Sequence, residues 1–164
     1  MFKQRTFAEA LNPIDLVEDI VRAWDWAYSR DDSRTLTAEL QGGWGETSVC
    51  AAWHMRPAVM QIAAACRLPV PVEGRNALLE MLAHANDMLE IGHFCFERDA
   101  GALCFRHAVP LRGVSASREP VEDILLAATS GLDQFYPAFQ HALWGGKSPA
   151  KAVAAAMIHP MGEA

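Results

Sequence analysis

Residues 92–113 read GHFCFERDAGALCFRHAVPLRG, and the alternation inside them decides the fold. Phe94 and Phe96 alternate with His93, Cys95 and Glu97; on the return, Leu103, Phe105, Val109 and Leu111 alternate with Cys104, Arg106 and Ala108. A period of two marks half-buried strands. For both apolar sets to share a face, an even position before the turn must oppose an odd position after it. A four-residue loop, Arg98-Asp99-Ala100-Gly101, meets that condition, with Asp suited to a type I turn and Gly to the left-handed position. The register then sets Phe96 against Leu103 and Phe94 against Phe105. Cys95 faces Cys104 on the opposite side.

Upstream, Asn12-Pro13 is a helix start: Asn caps, Pro is pre-organised for the first helical position, and Asp15 complements the helix N-terminus. Leu16, Val17, Ile20, Val21, Trp24, Ala27 and Tyr28 recur at helical spacing, which predicts a first helix running to the polar stretch Ser29–Ser33. Period two returns in three strand candidates, Thr35–Gln41, Glu46–Met55 and Val59–Leu68, separated by glycine-rich and Arg56-Pro57 turns. Pro69 and Pro71 close this meander, since neither can donate to a ladder.

A second helix is expected over Arg75–Glu90, with Leu78, Leu82, Ala85 and Leu89 on one stripe. Ala77, Met81, His84 and Met88 form another, with Leu79 nearby. That surplus fits either a partner-facing surface or a helix lying under its own C-terminal segment. After the hairpin, Pro120 opens a third helix through Val121, Ile124, Leu125, Ala128 and Leu132. Phe135, Tyr136, Phe139, Leu143 and Trp144 continue it past Pro137, where a break or kink is expected. Ser148 and Pro149 start a last, alanine-rich helix ending at Ile158. Residues 1–11 read as a loose arm and 159–164 as a frayed tail of a single domain spanning 1–164. The predicted order is α-β-β-β-α-β-β-α-α: an α+β fold whose five-stranded antiparallel sheet carries its helices on one face.

The chain has 164 residues, 51% of them hydrophobic and 21% charged, enough for one compact core. No apolar run approaches the roughly 20 residues that cross a bilayer, and residues 1–15 lack the apolar segment of a secretory signal, so a cytoplasmic location is expected. A net charge of -6 provides no electrostatic drive toward nucleic acid or an anionic membrane. The four cysteines, Cys50, Cys66, Cys95 and Cys104, show no CxxC spacing and read as reduced, packed thiols.

Chemistry is sparsely signalled. His93, Cys95 and Cys104 share one face of the hairpin, but structural zinc wants four ligands and knuckle spacings, so no metal is expected. A Cys95–Cys104 disulfide is disfavoured by cytosolic redox poise and by the strain of bridging directly opposed residues. His107 shares parity with Phe105 and reads as a core histidine, while Arg106 on the other face suggests a solvated pair with Glu97. There is no GxSxG elbow, and GGKS at 145–148 follows a helix and lacks P-loop spacing. No catalytic residue and no cofactor are expected. An alternative is a small-ligand sensor with a pocket between the sheet and the C-terminal helices, lined by Trp24, Trp53, Phe105 and Phe139.

Taken together, GHF, FRHAVPLRG and FYPAFQHALWGGKSPAKAVAAA resemble the YbjN domain family of bacterial proteins. The resemblance also takes in Asn12-Pro13, the Gly-Gly-Trp turn, the Trp53 strand and Asn86-Asp87, and so covers about 12–158. It implies a fold like that of class I type III secretion chaperones, which dimerise through the second helix and a neighbouring strand. By that likeness Met81, His84, Met88 and Leu89 match the dimer helix, and Phe139 and Trp144 anchor the C-terminal helix. The implied role is non-enzymatic: a protein-binding, chaperone-like or regulatory homodimer in bacterial signal transduction or stress response.

Overall fold

The computed structural model describes residues 12–146 and 148–157. The expected arm at 1–11, the tail at 159–164 and the final residue of the last helix, Ile158, lie outside the described residues. The order is α1 (Pro13–Ala23), β1 (Ala27–Arg30), β2 (Thr35–Gly42), β3 (Gly45–Met55), β4 (Ala58–Arg67), a 3-10 turn (Val72–Gly74), α2 (Arg75–Asn86), β5 (His93–Glu97), β6 (Ala102–Pro110), α3 (Arg118–Trp144) and α4 (Pro149–Met157). The fold is α+β. Its sheet has six antiparallel strands, not five, in the order β1-β2-β3-β4-β6-β5.

The hairpin has the register its alternation demands: Phe94 opposes Phe105, Cys95 opposes Cys104 and Phe96 opposes Leu103. Arg98–Gly101 is the turn, with Gly101 at φ 61. Phe94 and Phe105 lie on one face, where Phe94 also meets Phe135 and Phe139 of α3 at ring-centroid distances of 5.3 and 6.1 Å. Leu36, Val49, Ala51, Met60, Ile62 and Leu103 line the same face, all of them essentially buried. Each large side chain removed from water here contributes about 1.5–3 kcal/mol.

The extra strand comes from residues assigned by spacing to the first helix. Trp24, Ala27 and Tyr28 keep helical spacing, yet α1 ends at Ala23. The Asp25 N–H bonds the Arg22 carbonyl, the Trp26 N–H bonds the Val21 carbonyl, and Asp25 takes φ 57. This is a Schellman stop with aspartate in the place glycine usually fills. The chain then turns into β1, whose Arg30 reaches back to Asp15 (2.9 Å) and Glu18 (2.7 Å) on α1.

The second helix ends at Asn86, short of the expected Glu90. The third is continuous through Pro137 and shows no break. Proline cannot donate to the carbonyl four residues back, which is that of Asp133. The indole N–H of Trp44, in the β2–β3 turn, donates to that carbonyl at 2.9 Å. The Gly43 N–H binds the Asp133 carboxylate at 2.8 Å, and the Tyr136 hydroxyl donates to the Arg67 carbonyl at 2.9 Å. Together these contacts tie the turn and β4 to the middle of α3.

Candidate functional site

α2 packs against α3, α4 and β5, which buries Leu78, Met81 and Ala85. Met81, proposed for a partner surface, is fully buried and cannot line one. His84 and Met88 are exposed and Leu89 is half-buried, so the four expected interface residues do not form one face.

The four residues proposed for a ligand pocket are also dispersed. Phe105 and Phe139 are fully buried, both against Phe94. Trp24 caps α1 beside Trp26, and Trp53 lies half-buried on β3. The clefts of about 430 and 480 Å³ include none of the four.

The first of these clefts lies between α2 and β5. Its floor and walls are Val70, Leu78, Leu79, Leu82 and Phe96, and Arg75 and Arg98 supply its charges. Leu79 is 52% exposed, and Val72 on the rim is 97% exposed. Pro69 and Pro71 keep the preceding segment out of the sheet, and the 3-10 turn then launches α2 alongside β5. Of these residues, sequence spacing singled out Leu79 as surplus. Arg75 and Arg98 are 23 positions apart and become neighbours of one cleft only in the fold.

β5 is the last strand of the sheet, and its outer edge is partly closed. The Asn86 side chain accepts from the Phe94 N–H (2.6 Å) and donates to the Phe94 carbonyl (3.0 Å). In an antiparallel strand, successive residues direct their backbone groups to opposite edges. Phe94 therefore points off the sheet, Cys95 points toward Cys104 on β6, and Phe96 points off the sheet again. Asn86 occupies the first of these outward positions, leaving Phe96 beside the cleft.

Three of the four thiols, on β3, β4 and β6, are shifted by their surroundings. Burial pushes the Cys66 thiol up to about 12, with smaller contributions from Cys104 and Asp133. Burial likewise raises Cys50 and Cys104, so all three favour the unreactive thiol. His93 opposes Arg106, which pairs with Glu97 at 3.6 Å where both are about half exposed, a contact worth little. Among the described residues no three His, Cys, Asp or Glu side chains come together as a metal site. Among them, too, no helix is long and apolar enough to cross a membrane.

No curated protein and no solved structure matches the chain. The sequence profile of the family described as "YbjN: Putative bacterial sensory transduction regulator" matches residues 13–141. That span holds the hairpin, the Asn86 clamp, the Trp44 turn and α3 as far as His141. The chain belongs to the YbjN family.

Proposed function

We propose that this chain is a non-enzymatic regulatory domain that acts by binding another polypeptide in the cleft between α2 and β5. The observation that carries the reading is the apolar cleft of about 430 Å³ lying against an edge strand. Sheet edges bind extended segments through backbone hydrogen bonds, and adjoining pockets select side chains. The family's description as a sensory transduction regulator agrees with a role in which association carries the signal. Burial of the Cys50, Cys66 and Cys104 thiols in their protonated forms supports binding over bond making. A chaperone-like mode of holding partners fits the same surface. A homodimer formed through α2 would rest on Leu79, His84 and Met88, without Met81.

The test is photo-crosslinking in a bacterial host of the family, with a benzophenone side chain at Leu79 and, as control, at Arg112 beyond β6. A discrete heterologous adduct from position 79 and none from 112 is expected. Absence of any adduct at 79, or an adduct only with a second copy of this chain, overturns the reading.

A further inference from the structure

The α2–β5 cleft also states what kind of segment it takes. We infer that its occupant is an extended peptide that pairs with the outer edge of β5 at Phe96, seats an apolar side chain in the cleft, and carries acidic residues on either side. This inference rests on the binding role proposed above and specifies its geometry and charge.

Three observations converge. Asn86 satisfies the outward N–H and carbonyl of Phe94, acting as a one-residue substitute for a neighbouring strand. The next outward groups, those of Phe96, meet no such clamp among the described residues, so a strand entering here finds its first free ladder position at Phe96. The cleft lies on the helix side of that edge. Side chains of an added strand alternate between faces, so its residue on the helix side enters among Leu78, Leu79 and Leu82. Finally, the charged residues lining the cleft are Arg75 and Arg98, in a chain whose net charge is -6. Neither guanidinium has a carboxylate partner among the described residues, whereas Glu97 beside them is engaged by Arg106. Two unpaired arginines bordering an apolar cleft complement carboxylates flanking an apolar anchor.

The experiment titrates the isotopically labelled full chain with three synthetic peptides. One alternates valine with glutamate, a second replaces each glutamate by lysine, and a third is the acidic peptide with an N-methylated central valine. The acidic peptide is expected to move the Phe96 backbone amide and the Asn86 side-chain amide resonances. The lysine peptide should bind about tenfold or more weakly, the loss of two charge contacts. N-methylation should weaken binding by a similar factor, because it removes a ladder donor. The Arg75→Glu, Arg98→Glu double variant, at exposed positions that leave the core intact, should reverse the preference between acidic and basic peptides.

Equal binding of acidic and basic peptides, indifference to N-methylation, shifts confined to the opposite sheet face, or no binding at all would each overturn the inference. If crosslinking at Leu79 still captures a heterologous partner in those cases, the binding role stands and only the acidic-strand assignment falls. If the peptides behave as expected and position 79 captures nothing, the assignment stands and the cellular role falls.

Discussion

The indole N–H of Trp44 donates to the Asp133 carbonyl, the acceptor that Pro137 leaves without a helical donor. A proline inside a 27-residue helix is thus accommodated by a turn residue 89 positions before the carbonyl it leaves open. Trp44→Phe keeps a ring stacked near Tyr136 and removes only the donor, so it should cost about 1 kcal/mol. Pro137→Ala returns a donor to the helix, so the double variant should recover that loss. Urea denaturation of the four proteins tests this coupling. Strict additivity would show that Trp44 does not serve the Asp133 carbonyl.

Asn86 holds Phe94 by two backbone hydrogen bonds, and Phe94 packs three aromatic rings. Asn86→Ala leaves both backbone groups without this partner and should destabilise by about 2 kcal/mol. Asn86→Asp keeps the acceptor but sets a carboxylate oxygen against the Phe94 carbonyl, so it should be no better tolerated. Hydrogen exchange is the direct reading: the Phe94 amide should lose protection in both variants while the Leu103 amide keeps it. Unchanged exchange at Phe94 would remove the clamp from the account of the β5 edge.

These contacts separate what was legible in the sequence from what was not. The hairpin was readable because alternation and loop parity are local: Phe94, Phe96, Leu103 and Phe105 determine their own register. β1 was not, because Trp24, Ala27 and Tyr28 keep the spacing of α1, and the stop depends on a left-handed Asp25 where glycine would have been the signal. Pro137 predicted a break because its compensation lies in another element, at Trp44. The cleft failed to appear for the same reason. Arg75, Leu79 and Phe96 belong to separate elements, and only the placement of α2 beside β5 joins them. Helical spacing puts Met81 on one stripe with His84 and Met88, but the packing of α2 against α3 and α4 separates them, burying Met81 and leaving His84 and Met88 exposed.

Two glycines with similar backbones should respond differently to the same change. Gly92 has φ +73, and a Cβ there would be driven into the ring of Phe105. Gly101 has φ +61 with nothing within 4 Å of the added carbon. Gly101→Ala should therefore cost only the left-handed conformation, about 1 kcal/mol. Gly92→Ala adds displacement of a fully buried aromatic ring and should exceed about 2 kcal/mol. Thermal or urea unfolding of the two variants checks the order. Equal losses would mean that the ring of Phe105 yields freely at the foot of β5.

His107 gives the fold an acid-side dependence. Its imidazole is held below its ordinary value by burial first and by the nearby His93 second. The unfolded chain therefore takes up that proton at higher pH than the folded chain does. Stability must rise with pH wherever the unfolded state binds more protons. The contribution of His107 is thus fully present above about pH 6.5 and is lost progressively as pH falls through that value toward the lower folded pKa. Replacing His107 by Gln removes the titrating group at a half-buried strand position. The variant should show a smaller drop in urea midpoint than the parent when pH is lowered across this window, with the two curves parallel above it. Identical slopes below about pH 6.5 would assign the acid sensitivity to other groups and leave His107 a neutral spectator on β6.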